Sequence, residues 1–109
     1  MAAQVIVSQV GPLPIKLNFN TLGDMMMCLE VNGSVWTSTA NTMIGIQIAI
    51  DGNNVGTAQI FSNGASTHRA VVPAFIPVKL SYGQHTITLS AMPNTTSDLN
   101  DLFTAVLHY

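Results

Sequence analysis

Charge is what this sequence has least of. Asp, Glu, Lys and Arg make up only 7% of its 109 residues, against about 25% in an ordinary soluble domain. A monomer hydrates its surface largely through such side chains. Their shortage leaves two remedies: Ser, Thr, Asn and Gln cover the surface, or part of it is buried against other chains. Both are expected here, with self-association into a homo-oligomer as the consequence. The three cations, Lys16, Arg69 and Lys79, lie far apart. No basic patch can form from them in sequence, which argues against a nucleic-acid partner and against a polybasic membrane contact.

Cysteine is nearly absent as well. Cys28 stands alone, so there is no intrachain disulfide and no zinc site built from thiolates. Its place in an apolar run predicts a small buried hydrophobe. No basic neighbour is at hand to make a reactive thiolate. No apolar run reaches the ~18 residues of a membrane span. The opening MAAQVIVSQV lacks the basic region and cleavage site of a secretory signal. The expectation is a soluble chain that reaches a virion or an extracellular assembly as part of a larger particle, by cell lysis, or by a route without this kind of signal.

A long helical period is missing too. What is present is alternation with period two, the mark of half-buried strands. Ile44, Ile46, Ile48 and Ile50 share one face, with Gly45, Gln47 and Ala49 opposite. Asp51-Gly52-Asn53-Asn54 then reads as a hairpin turn, because these residues tolerate positive φ. Upstream, Met27, Leu29, Val31 and Val35 alternate with Met26, Cys28, Glu30, Asn32 and Ser34. Gly33 marks a bulge or a close backbone approach. Pro73 and Pro77 make residues 67–80 an edge or a bend between sheets. Ile87 and Leu89 point inward from another strand, and Phe103, Ala105, Leu107 and Tyr109 give the last strand a central place. With no linker or repeat, residues 1–109 read as one all-β domain. Its expected form is a two-sheet antiparallel β-sandwich, a jelly roll of about eight strands.

The search for chemistry finds no converging set. The acids are Asp24, Glu30, Asp51, Asp98 and Asp101; the histidines are His68, His85 and His108, on three separate segments. No nucleophile elbow, phosphate-cradling glycine loop or His-Glu zinc motif is present. The chain is expected to be no enzyme and to take no cofactor and no metal. Asp98, Asn100 and Asp101 are spaced for oxygen ligation of calcium, yet match no dedicated calcium loop; a hydrogen-bonded loop capping the last strand is expected there instead.

Binding residues are easier to nominate. Trp36, the only tryptophan, ends a strand beside Thr37-Ser38-Thr39. It is placed to stack on a sugar ring, or to lid the core. His68 and Arg69 follow the polar loop 62–67. Arg69, the only arginine, suits a ligand contact or a carboxylate of a neighbouring strand or subunit. Trp36, His68 and Arg69 are therefore the candidate ligand-binding residues. The Met25-Met26-Met27 triple has two faces, and one of them must look away from the core.

The run Ile48-Ala49-Ile50-Asp51-Gly52-Asn53-Asn54-Val55-Gly56-Thr57-Ala58, residues 63–68 and Gly83-Gln84-His85-Thr86-Ile87-Thr88-Leu89 resemble small β-sandwich modules of bacterial and phage-tail proteins. The ending Asp98-Leu99-Asn100-Asp101-Leu102-Phe103-Thr104 looks like the closing strand of the jelly rolls shared by tumour necrosis factor and complement globular heads. That resemblance implies a compact homotrimer that binds receptors or glycans through loops or subunit clefts. The matching positions are turns and strands, so no family binding residue carries over. The first expectation for function is a non-enzymatic oligomeric structural or receptor-binding module, of a phage or bacterial surface assembly. The second is a carbohydrate-binding, lectin-like domain whose partner is a glycan.

Overall fold

The computed structural model describes residues 2–109, and every regular element in it is a strand. In chain order these are β1 (Ala3–Val10), β2 (Ile15–Thr21), β3 (Met25–Val35), β4 (Thr42–Ile50), β5 (Asn53–Ser62), β6 (Arg69–Ala70), β7 (Ala74–Leu80), β8 (Gly83–Ala91) and β9 (Leu102–His108). One sheet has the order β1-β9-β3-β6, with β7 also paired to β3; the other has the order β2-β8-β4-β5. All pairings are antiparallel. The expected sandwich is therefore the observed one. The strand beyond the expected eight is the two-residue β6, too short for alternation to reveal.

The core is the two inner faces pressed together. From the smaller sheet come Ile44, Ile46, Ile48, Ile87 and Leu89; from the larger come Leu29, Val31, Val35, Phe103, Ala105 and Leu107, all fully buried. The last strand does sit centrally, between β1 and β3. Gly33 proves to be a close approach. A Cβ there would fall 2.5 Å from the Phe103 ring and 3.0 Å from Ile46 Cδ1. Gly45 is constrained likewise, since a Cβ would run into the Ala58 carbonyl and Gln59 Cα of β5. Gly45 is thus covered by this chain, and its backbone is bonded there: Met92 N donates to Gly45 O, and Gly45 N donates to Thr95 Oγ1, whereas Gln47 and Ala49 on the same face are half-buried.

Cys28 departs from expectation. It is half-buried, because alternation along β3 sends it outward with Met26 and Glu30 while Met27 and Leu29 go inward. Of the methionine triple, Met27 is core and Met25 and Met26 are exposed.

At one end of the sandwich the β4–β5 turn is tied to the start of β8. His85 Nδ1 lies 2.6 Å from Asp51 Oδ2, and its Nε2 lies 2.8 Å from the Ser81 carbonyl oxygen. Both partners only accept, so both ring nitrogens donate when the two bonds are made, and the ring is an imidazolium. The Asp51 carboxylate, and then the Ser81 carbonyl, raise the His85 pKa above its ordinary 6.5. The His85 bond leads in holding the Asp51 pKa below its ordinary 3.8. A raised histidine contributes stability fully below 6.5 and loses it as pH climbs through its folded value. A depressed carboxylate contributes above 3.8 and loses it as pH falls through its own. The clamp is therefore at full strength between those two ordinary values. The stability difference between wild type and His85→Gln is expected to be largest near pH 5 and to shrink toward pH 9. Urea midpoints across that range check this; a difference independent of pH would contradict it.

Candidate functional site

The opposite end gathers three loops around Trp36. The chain leaves β3 at Val35, and Trp36 pairs at once with Thr96 of the 92–101 loop. Trp36 N donates to Thr96 O at 2.9 Å, and Thr96 N donates to Trp36 O at 2.7 Å. The 62–68 loop joins through Ser66 N, which donates to Thr37 O at 2.7 Å. Asn41, Ser66 and Asn94, one in each loop, hold φ of 58°, 60° and 63°. Asn adopts that conformation readily; Ser66 does so less easily, at a cost of about 1–2 kcal/mol. The loops are thus tied down by backbone bonds, and Trp36 sits where they meet, half-buried.

Beneath them lies Asp101, fully buried. Its Oδ1 accepts from Ser34 Oγ at 2.6 Å and faces His68 Nδ1 at 2.6 Å; its Oδ2 accepts from Asp98 N at 2.9 Å. One carboxylate so joins β3, the approach to β6 and the entry to β9. The pairing order explains this, since β3 has β9 on one side and β6 on the other. A carboxylate facing Nδ1 places the proton there and leaves the Nε2 lone pair outward. It also raises the His68 pKa. Nε2 is 3.7 Å from Asp98 Oδ2, and the His68 and Asp98 side chains are 38% and 42% exposed. Asp98 is itself held, because Asn100 N donates to its Oδ1 at 2.8 Å. The Trp36 and His68 rings lie 6.0 Å apart between centroids, tilted by 43°. The Trp36 Nε1 is buried without a hydrogen-bond partner among the described residues.

The structure thus brings together two of the three nominated residues, Trp36 and His68. Arg69 stays apart from their hydrogen bonds. It pairs with Val35 along the backbone of β6 and makes no ion pair among the described residues. The expected hydrogen-bonded loop at 98–101 is present, as an Asx turn closing on the buried Asp101. Sequence reading missed that Asp101 orients His68. The two are 33 residues apart, and Ser34 is 67 from Asp101, so no spacing announces the cluster.

As chemistry, the arrangement is half of a proton relay. A buried carboxylate orients a histidine, as in a catalytic triad. The nearby hydroxyl, Ser34 Oγ, donates to that same carboxylate oxygen and so spends its proton away from Nε2. What remains is a half-buried indole beside an imidazole nitrogen and a carboxylate oxygen, each of these two side chains held by its other atom.

A depression of about 530 Å³ lies at the other end, lined by Ile50, Asp51, Val55, Lys79, Leu80 and His85 among others. On its polar wall both His85 nitrogens and both Asp51 oxygens are already bonded, while Lys79 makes no ion pair among the described residues. The Trp36 end differs in presenting an imidazole nitrogen and a carboxylate oxygen beside an indole.

No protein-family model matches the sequence, and a search of curated proteins gave no match. Solved structures do resemble it. A family 35 carbohydrate-binding module from Clostridium thermocellum is 15% identical with a TM-score of 0.49, covering 95% of this chain and 90% of that one. A carbohydrate-binding module of family 36, in complex with calcium and xylotriose, is 13% identical with a TM-score of 0.48, covering 99% and 87%. An exo-β-1,3-galactanase from Phanerochaete chrysosporium is 11% identical with a TM-score of 0.55, covering 98% of this chain and 26% of the galactanase. This chain therefore spans about a quarter of that enzyme. At such identities the likeness is one of fold, and with the observed topology that fold is a jelly-roll β-sandwich.

Proposed function

We propose that this chain is a carbohydrate-binding module that takes a glycan at its Trp36 end and performs no reaction on it. The observation that carries the reading is the half-buried Trp36 set beside His68 and Asp98. Sugars present apolar C–H faces and a rim of hydroxyls. An aromatic face suits the first, and a carboxylate oxygen and an imidazole nitrogen suit the second. The fixed loops limit the ordering cost of binding. This reverses the order expected from sequence, in which the structural or receptor-binding module stood first. Non-enzymatic character is part of the proposal, supported by the diversion of Ser34 to Asp101. A panel of immobilised oligo- and polysaccharides tests it. Retention of the wild type on at least one neutral glycan is expected, and no retention on any would contradict it.

Self-association is a second reading, favoured by a different observation. The outer face of the larger sheet carries a cross-strand row, Val5–Val106–Glu30–Phe75, in which Val5 and Phe75 are exposed. Exposed apolar side chains such as these two, in a chain so short of charge, favour burial against copies of itself. The homotrimer implied by the resemblance to tumour necrosis factor is the form proposed. Light scattering at micromolar concentration is expected to give three chain masses, and a monomer mass would contradict it.

A further inference from the structure

We propose that His68 Nε2 and Asp98 Oδ2 form a two-ligand site for a divalent transition metal, oriented from behind by Asp101. Each of these side chains already has one of its donor atoms spent. His68 has its Nδ1 on Asp101, and Asp98 has its Oδ1 on Asn100 N. Each side chain is thereby held by one atom and presents the other. The two presented atoms face one another at 3.7 Å. Ligands at the usual Zn–N and Zn–O lengths stand about 3.3 Å apart across a tetrahedral ion. A side-chain adjustment of a few tenths of an ångström closes the difference.

Asp101 supplies the second, independent feature. It is fully buried, and both of its oxygens are occupied, so it acts as an orienting group and not as a ligand. A carboxylate on one imidazole nitrogen, with the other nitrogen on the ion, is the arrangement that fixes the tautomer and raises basicity at metal-bound histidines. The three side chains offer atoms within 4.8 Å of one another, which is compact enough for this geometry.

The donor set decides the class of ion. Calcium takes six to eight oxygens, and here one nitrogen and one carboxylate oxygen are on offer. Imidazole with carboxylate suits zinc, nickel and copper. With two protein ligands the remaining positions fall to water, on a side chain pair that is itself exposed. The site is thus open and exchangeable, unlike a closed structural zinc. It would stand whether or not Trp36 carries a sugar.

The single tryptophan gives a direct readout. Trp36 is the only one in the chain, and its ring is 6.0 Å from that of His68. A quenching ion such as Ni²⁺ bound at Nε2 therefore sits close to the fluorophore. Titration of the intact chain with Ni²⁺ is expected to quench its fluorescence along a saturable one-site curve, with recovery on adding excess Zn²⁺ or a chelator. His68→Gln and Asp98→Asn are each expected to raise the half-quenching concentration by at least about tenfold. Asp98→Asn keeps an oxygen for Asn100 and removes only the anionic donor. His108→Gln, on the outer face beside Glu30, is expected to change nothing. Quenching that never saturates, or that survives His68→Gln, would overturn the proposal. So would quenching lost in His68→Gln but unchanged in Asp98→Asn, which would mean a lone surface histidine. His68→Gln also removes a partner of the buried Asp101, so urea midpoints are measured for every variant and quenching is compared at temperatures where each is fully folded. The readout uses no sugar, so failure here is distinguishable from failure of the glycan panel.

Discussion

Asp101→Ala is expected to lower the stability of this domain by about 3–5 kcal/mol, the range seen when one partner is removed from a buried charged network. The carboxylate is the common acceptor for Ser34 Oγ, His68 and Asp98 N. Deleting it strands a hydroxyl and a backbone N–H at the foot of three loops, where water has little access. Each stranded donor costs roughly 1–3 kcal/mol. For a chain of this length the melting temperature should fall by roughly 15–30 °C. Asp101→Asn keeps the shape and one accepting oxygen; with that oxygen toward Ser34 and His68, its NH2 faces the Asp98 N–H, so it should cost about 1–3 kcal/mol. Thermal and urea unfolding of both variants check this, and an alanine variant within about 1 kcal/mol of wild type would show that the network carries little.

Trp36→Ala should produce the largest loss in binding. If the indole carries the stacking contact, its removal costs about 2 kcal/mol or more, as at other aromatic hot spots, which is at least about 30-fold in Kd. Trp36→Phe retains part of the apolar face and should lose less. The backbone of residue 36 is bonded twice to Thr96, and those bonds survive either change, so the loop stays anchored. Calorimetric titration with whichever glycan the panel identifies measures the ratio. An alanine variant within about twofold of wild type would move the site away from Trp36.

The fold was legible where one face of a strand is buried. The four isoleucines of β4 and the apolar alternation in β3 and β9 report a two-sheet core because the period of two is imposed by the pleat itself. Gly33 was legible as a close approach, though its partner, Phe103, was not. Cys28 was misread because its apolar neighbours outweighed its position in the alternation, which already placed it with Glu30. The site was half legible. Trp36 and His68 stood out by residue type and by their polar loops. The hold of Asp101 on His68 did not, because it depends on β3 lying between β9 and β6, and a two-residue strand leaves no periodic trace. Arg69 was nominated for its charge alone, and its neighbour His68 holds the place at the carboxylates.

The central claim is that glycans are read by the face that Trp36 presents. A chain with one tryptophan has one indole N–H resonance, so a ¹H–¹⁵N correlation spectrum reports on this residue without assignment. Titrating in the retained oligosaccharide should move that single peak saturably, with the same midpoint as the calorimetry. If the peak stays fixed while backbone resonances around Asp51, Lys79 and His85 shift, the glycan sits in the depression at the opposite end and the account given for Trp36 is wrong.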